Sequence, residues 1–118
     1  MQLYFQEVVI PADRRLPGVN GFESVAKLLA ESRLSVAWNA AGCGLGIYDN
    51  MIKYLSKRKQ FGNSLLSYQL VQDKLVKVMG AVQASLLMCY NAQRLLDNGE
   101  ATIGHLAMVK AWVTKHIR

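Results

Sequence analysis

Residues 25–55 read VAKLLAESRLSVAWNAAGCGLGIYDNMIKYL, and this stretch carries the longest helical pattern of the chain. Its apolar and small residues recur in steps of three and four, which is the period of an amphipathic α-helix. The pattern begins near Ser24 and continues without proline to about Lys59, so we predict one helix of roughly 50 Å. The stripe expected to face the core consists of Val25, Leu28, Leu29, Ser32, Val36, Ala40, Cys43, Ile47, Met51, Ile52 and Leu55.

Three glycines fall inside this predicted helix. Gly42, Gly44 and Gly46 each cost a helix about 1 kcal/mol relative to alanine. We expect the close approach of a neighbouring helix or ligand to offset that cost. They do not form a dinucleotide-binding loop, because the GxGxxG pattern needs a glycine where Ile47 stands and a strand before it.

Two more helices are predicted further along the chain. Residues 61–64 (FGNS) have turn chemistry, with Gly62 able to adopt a positive φ. A second helix should run from about residue 66 to residue 97, where Asn98-Gly99 ends it. Thr102 is placed to cap a third helix. The predicted apolar positions of these two helices are Leu70, Val71, Leu75, Val78, Met79, Val82, Leu86, Met88, Cys89 and Leu95, followed by Leu106, Val109, Trp112, Val113 and Ile117.

These helices predict an all-α fold. Long helices joined by short turns pack as antiparallel neighbours, and such hairpins bury one side only. The apolar stripe of the third helix is still in phase at Arg118, so a fourth helix is the natural completion. We therefore expect an up-down bundle that is an incomplete four-helix bundle, a fragment of a larger protein. Its third helix would expose Leu106, Val109, Trp112 and Val113 until a partner covers them.

The first ten residues, MQLYFQEVVI, favour a strand instead of a helix, and Pro11 ends it. Residues 11–21 contain both prolines and should form a loop. One strand cannot make a sheet, so either this strand has no partner here or its partner strands belong to sequence outside this chain. We divide the chain into residues 1–21, the end of a preceding β-domain with a linker, and residues 22–118, the helical domain.

Composition limits the class of protein. With 118 residues, 52% apolar and 19% charged, the chain is too apolar for disorder and the right size for one domain or a piece of one. The longest uncharged run, residues 34–48, is shorter than the ~20 apolar residues of a transmembrane helix. We therefore expect no membrane span. Cys43 and Cys89 cannot build a disulfide framework, which favours a reducing compartment.

The chain is basic, with a formal charge of +6 and a pI of 9.6. Such a balance fits nucleic acid, an anionic membrane or a ligand that carries phosphates. No nucleic-acid-binding motif accompanies it, so we expect no nucleic-acid partner and rank that hypothesis last. His105 and His116 lie on one predicted helix without a third ligand, so we expect no metal site. The cations are concentrated at Lys53, Lys57, Arg58 and Lys59, with a pair at Arg14 and Arg15.

The segment 54–69, YLSKRKQFGNSLLSYQ, has the most chemical content. One interpretation is structural, because cations at a helix C-terminus interact favourably with the macrodipole. The other is an anion site, in which Arg58 supplies a forked donor for phosphate, Phe61 a flat apolar surface and Gln69 an amide. Periodicity alone leaves both open.

This segment resembles the signature of the C-terminal helical domain of acyl-CoA dehydrogenases and acyl-CoA oxidases. Upstream, Ser32-Arg33 and the small residues 36–46 resemble the helix that opens that domain, and residues 10–18 resemble the link from its middle β-domain. The short-chain peroxisomal oxidases are the most similar members, followed by glutaryl-CoA dehydrogenases. The residues of the signature are Tyr54, Arg58, Gln60, Phe61, Gly62, Leu65, Tyr68, Gln69, Gln72, Lys74 and Leu75.

The resemblance implies roles for six residues. Arg58, Gln60, Phe61 and Gln69 match residues that reach across a dimer interface to FAD held mainly by the neighbouring subunit, and Tyr68 matches a flavin-contacting position. Arg33 matches an arginine that contributes to acyl-CoA binding; its alternative is an ion pair with Glu31 or Asp97.

The resemblance also implies that the catalytic base lies outside this chain. The family removes an α-proton with a glutamate, which most members carry late in the domain, beyond residue 118. A minority carry it at the position of Ser32, and a serine without a partner base accepts no proton here. Glu31 is turned about 100° around the helix from that position, so we expect a solvated carboxylate. No catalytic residue is therefore assigned, and the isolated chain should be inactive.

For the whole protein, the resemblance implies an FAD-dependent oxidoreductase that introduces a trans-2 double bond into a short-chain acyl-CoA during β-oxidation. It implies a homodimer or homotetramer that shares FAD across the interface. The oxidase resemblance indicates the peroxisome, and the dehydrogenase alternative indicates the mitochondrion. A different hypothesis is a catalytically inactive, truncated helical module that pairs with a full-length subunit.

Overall fold

The computed structural model describes residues 2–117, and these form three helices and one small hairpin. Helix α1 spans Phe22–Lys57, α2 spans Gln69–Asp97 and α3 spans Ile103–His116. The hairpin consists of β1 (Lys59–Gln60) and β2 (Asn63–Ser64), between α1 and α2. The all-α prediction is confirmed.

The helices run up, down and up. Ala26 near the start of α1 lines the same cavity as Leu96 at the end of α2 and Ile103 at the start of α3. Helix α2 is therefore antiparallel to α1, and α3 runs in the same direction as α1. Helix α1 packs against both of the other helices.

The predicted helix ends are close to the observed ones. Thr102 caps α3: its Oγ1 accepts a hydrogen bond from His105 N–H, and its own N–H donates to His105 Nδ1. Gly99 ends α2 with a φ of 74°, the left-handed conformation that glycine adopts at a helix C-terminus. Helix α2 starts at Gln69, later than predicted, because residues 65–67 form a separate 3₁₀ turn.

The core is built from small and medium side chains. It lies where the three helices meet, and its α3 members, Leu106, Val109 and Val113, are those predicted from the sequence. These three side chains are buried, so the expectation that they lie exposed is wrong; only Trp112 among that set is half-buried. The other core members are Leu34, Ala37, Ala41, Cys89 and Ala92.

Helix α1 presents a different face from the one predicted. The large residues of the expected stripe, such as Val36 and Ile47, are exposed, whereas Ala37, Ala41 and Gly44 are buried. Small side chains allow helix axes to approach closely, and a pattern that ranks residues by apolar size does not identify such a contact. The core face is thus rotated by about one residue from the predicted stripe.

Gly44 accounts for part of the glycine cluster. A Cβ at this position would lie 2.7 Å from Ile117 Cδ1 and 3.3 Å from Val82 Cγ2. The close approach expected for all three glycines therefore occurs at Gly44, while Gly42 and Gly46 have no atom within 4 Å of a built Cβ.

The predicted N-terminal strand is not formed. Residues 2–10 have no strand and are exposed, and Met1 lies outside the described residues. An extended segment without a partner leaves its ladder groups unpaired, so β propensity alone does not produce a strand. Residues 11–21 form the expected loop, with one 3₁₀ turn at Ala12–Arg14.

The molecule is a thin slab, 68 × 41 × 17 Å. Large apolar side chains are exposed on all three helices. Helix α2 is long and apolar enough to cross a membrane by length and composition, although core helices of soluble proteins also meet that criterion. Cys43 is exposed and Cys89 buried, and burial raises the pKa of the Cys89 thiol.

Candidate functional site

The residues that the resemblance assigns to FAD lie together at one end of the slab. Arg58 directly follows α1, Gln60 ends β1, Phe61 occupies the hairpin turn, and Tyr68 and Gln69 open α2. We call residues 58–69 the hairpin segment. Four of the five side chains are exposed, and that of Tyr68 is half-buried.

Phe61 sits in an unusual backbone conformation. Gln60 pairs with Asn63, so Phe61 and Gly62 form a two-residue hairpin turn. Their φ angles are 50° and 81°, and two positive values are what a type I′ turn requires. Asparagine and glycine tolerate this geometry, whereas a bulky aromatic residue at positive φ is strained. The positive φ of Gly62 follows from its residue type, whereas nothing in the residue type of Phe61 indicates one.

The strained residue is also exposed. The Phe61 side chain has 92% of its surface accessible, so packing against its own chain does not account for the conformation. Strained backbone conformations cluster at ligand-binding and catalytic sites. The turn therefore presents a flat apolar ring to whatever approaches this end of the molecule.

Two hydrogen bonds hold the hairpin: one closes its base, and the other joins it to the start of α2. Leu65 N–H donates to Arg58 O at 2.8 Å and closes the base of the hairpin. The Tyr68 hydroxyl donates to Gln60 O at 2.7 Å, and Gln60 is the residue that immediately precedes the turn. In addition, Gln72 Nε2 donates to Leu66 O at 3.0 Å and fixes the intervening 3₁₀ turn. Gln72 belongs to the signature, but nothing in the sequence indicated that its side chain bonds the 3₁₀ turn.

Arg58 presents an exposed guanidinium beside the turn. Its backbone N–H donates to Tyr54 O at 2.9 Å, which ends α1. The ion pairs of residues 2–117 are Lys53–Asp49 and Lys77–Asp73, and neither includes Arg58. A cation just beyond a helix C-terminus is stabilised by the helix macrodipole, as the structural interpretation requires. At the same position, the N–H donors of the Arg58 guanidinium stay available to a phosphate.

Arg33 lies far from the hairpin segment. It is half-buried on α1, roughly 38 Å along the helix axis from Arg58. The described part of the chain contains no ion pair between Arg33 and Glu31 or Asp97. The structure therefore places the predicted acyl-CoA residue in the first half of α1, well separated from the predicted FAD residues beyond its C-terminus.

The other candidates have structural surroundings. Ser32 Oγ donates to Leu29 O at 3.2 Å, and Glu31 is exposed at the edge of a cavity of about 430 Å³ near the start of α1. His105 completes the α3 cap, and the His116 ring stacks on Trp112 at 4.0 Å. Between residues 2 and 117, no three His, Cys, Asp or Glu side chains are grouped as a metal site.

Comparison with known proteins places these features in a family context. The sequence profile described as acyl-CoA dehydrogenase, C-terminal domain, matches residues 19–118. The chain is similar to a caffeyl-CoA reductase–Etf complex subunit of Acetobacterium woodii, with 32% identity over 96% of this chain and 30% of that protein.

Two further relatives are named as dehydrogenases. A probable acyl-CoA dehydrogenase of Mycobacterium tuberculosis is 35% identical over 90% of this chain and 28% of its own length. The mitochondrial short/branched chain specific acyl-CoA dehydrogenase of Rattus norvegicus is 30% identical over 97% of this chain and 27% of its own length. The chain thus spans less than a third of each of these relatives.

Proposed function

Because this chain belongs to the acyl-CoA dehydrogenase family, we propose that it forms part of an FAD-dependent enzyme that oxidises an acyl-CoA to the trans-2-enoyl-CoA. Residues 22–118 are its C-terminal helical domain, and residues 1–21 lead in from the preceding β-domain. When bound, FAD takes the hydride from the acyl β-carbon. The base that removes the α-proton is supplied by sequence outside this chain.

The observation that carries this proposal is the hairpin segment. An FAD pyrophosphate needs cationic or N–H donors, and a flavin or adenine ring needs a flat apolar surface. Arg58 supplies the cationic donor and Phe61 the flat apolar surface from exposed positions three residues apart, and the Gln60 and Gln69 side chains lie within the same segment. The residues present therefore fit FAD.

The shape of the molecule supports a shared cofactor. The hairpin segment lies at one end of a thin slab and is open to solvent, so it can reach FAD held by a neighbouring subunit. We therefore propose a homodimer or homotetramer in which Arg58, Gln60, Phe61, Tyr68 and Gln69 complete the cofactor site of the partner. Arg33, in the first half of α1, contributes to acyl-CoA binding through its charge.

An oxidase and a dehydrogenase differ in the electron acceptor that reoxidises the flavin. The three relatives described above are named as dehydrogenases or a reductase-complex subunit, which supports an acceptor other than oxygen. A short-chain oxidase in the peroxisome and a dehydrogenase in the mitochondrion remain the two forms. Peroxide yield per butyryl-CoA oxidised, together with organelle fractionation, distinguishes them.

The cofactor role is tested with Arg58→Ala in the enzyme that contains this chain. Removing the guanidinium should weaken FAD binding by roughly tenfold to a hundredfold, because a charge-assisted hydrogen bond is worth about 1.5–3 kcal/mol. The measurement is titration of the apoprotein with FAD, followed by flavin fluorescence. Arg94→Ala is the control, since Arg94 is also an exposed arginine but lies near the other end of α2. Equal affinities for the two variants would refute the proposed role of Arg58.

A second candidate function is the inactive interaction module. The observation that favours it is the exposed apolar surface of α2, which includes Leu70, Val76, Leu87 and Tyr90. Under either hypothesis, residues 1–118 alone should neither reduce a dye nor make peroxide from butyryl-CoA when FAD is added. Activity of that isolated chain would place the base within residues 1–118. Activity of the longer protein separates the enzyme from the module.

A further inference from the structure

We propose that Tyr68 is a positioning residue whose hydroxyl holds the Phe61 turn in the conformation that contacts FAD. This inference rests on the proposed function and goes beyond it, because the resemblance treats Tyr68 as a direct flavin contact. In the structure the Tyr68 hydroxyl is already committed to the hairpin, at 2.7 Å from Gln60 O.

Tyr68 has a firm anchor in α2. Its carbonyl accepts hydrogen bonds from Val71 N–H and Gln72 N–H, both at 3.0 Å, so its backbone belongs to the first turn of that helix. Its side chain is half-buried and reaches back eight residues to the hairpin. The hydroxyl thus links a rigid helix to the residue that immediately precedes the turn.

The turn needs such a link because its own sequence works against its conformation. Phe61 at a φ of 50° is strained, and its exposed ring gains nothing from its own chain. β1 and β2 contain two residues each, and a hairpin that short is marginal without outside contacts. Releasing Gln60 O therefore allows Phe61 to relax toward negative φ and carries its ring away from the cofactor.

The test compares Tyr68→Phe with the unchanged enzyme that contains this chain. The variant keeps the ring and removes only the hydroxyl, so the loss of one hydrogen bond should weaken FAD binding roughly twofold to tenfold. A second readout needs no cofactor: hydrogen exchange of the Leu65 amide, which bonds Arg58 O at the base of the hairpin, should become faster. Tyr90→Phe removes the same atom from an exposed ring on α2 and should change neither readout.

A double-mutant cycle separates positioning from direct contact. If Tyr68 acts through the turn, then Tyr68→Phe should have no further effect on FAD affinity once Phe61→Ala has removed the ring. If the loss caused by Tyr68→Phe persists in that background, Tyr68 touches the flavin itself and the inference is wrong. Unchanged affinity and unchanged exchange in the single variant would also overturn it.

The same measurements distinguish this inference from the proposed function. If the inference alone fails, Arg58→Ala and Phe61→Ala still weaken FAD binding, while Tyr68→Phe either binds FAD normally or causes a loss that persists in the Phe61→Ala background. If all three variants bind FAD as the unchanged protein does, the hairpin segment is not a cofactor contact and the proposed function fails with it.

Discussion

Phe61 shows how a single residue can oppose the preference of its own backbone. A two-residue hairpin of this kind favours Asn-Gly, and the chain has Phe-Gly instead. The aromatic ring is exposed, so intramolecular packing does not repay the strain. Phe61 is better explained by a contact with a ligand than by a contribution to the stability of its own chain. The first explanation predicts that its replacement raises stability, and the second predicts that its replacement lowers stability.

Replacing Phe61 by asparagine should therefore separate stability from binding. Asparagine accepts positive φ, so Phe61→Asn should raise the free energy of unfolding by about 0.5–1 kcal/mol. Losing the ring should weaken FAD binding about tenfold, because an aromatic contact is worth about 0.5–1.5 kcal/mol beyond its buried area. Urea unfolding and FAD titration measure the two effects. Phe61→Ala is the matched control, since it loses the ring without the asparagine preference for the left-handed region.

The result contrary to this view is a variant that loses stability. If Phe61→Asn lowers the free energy of unfolding, the ring packs against its own chain in solution. A variant that is more stable and still binds FAD normally would instead show that the strain serves no cofactor contact.

At the scale of elements, the contact of α1 with α2 and α3 depends on small residues. Ala37, Ala41 and Gly44 are buried along one line of α1, and Gly44 lies against Ile117 and Val82. Large residues on the neighbouring line, such as Ile47, face away from this contact. The packing face of α1 is consequently marked by its small residues as much as by its large apolar ones.

The glycines of α1 provide a matched pair that tests this packing. Gly42→Ala should stabilise the isolated chain by up to about 1 kcal/mol, since a helical glycine is replaced where a Cβ has open space. Gly44→Ala should be less stable than Gly42→Ala by about 1–3 kcal/mol, because its Cβ overpacks the contact with Ile117 and Val82. Thermal and urea unfolding of both variants measure the difference. Equal stabilities would mean that α3 approaches α1 less closely than the structure shows.

At the scale of the whole molecule, a slab 17 Å thick leaves much of its apolar surface in water. Leu70 on α2 has 82% of its surface accessible, and other large apolar side chains are exposed on all three helices. Exposed apolar side chains of this size are what an interface with another protein, or with another part of the same protein, would cover. The three helices share a core, yet each of them leaves other apolar side chains exposed to solvent.

Residues 1–118 on their own should consequently self-associate at micromolar concentration. Sedimentation velocity should show a weight-average mass that rises with concentration, together with binding of an apolar dye. Leu87→Ser removes an exposed leucine from α2 and should weaken association by roughly tenfold, since burying a leucine contributes about 1.5–3 kcal/mol. The exposed Leu87 is chosen because replacing a buried residue such as Val113 would also disturb the core. A monodisperse monomer that does not bind the dye would contradict this reading of the surface.

The amino-acid sequence by itself determined the local features. Helical periodicity and capping residues located three helices, and Thr102, Gly62 and Gly99 do in the structure what their chemistry predicts. These features depend on a few consecutive residues, so short-range rules are sufficient for them. The resemblance located the hairpin segment, and the family comparison confirmed the family.

Only the tertiary structure decided which surfaces meet. The predicted strand in residues 1–10 is absent from the described residues 2–10, since a strand exists through its partner. The core face of α1 follows from how closely α3 approaches Gly44, which periodicity does not encode. The bond from the Tyr68 hydroxyl to Gln60 O likewise joins groups that become neighbours when the hairpin folds against α2. Each of these features depends on a distance between separate segments, and such distances are fixed only when the elements pack.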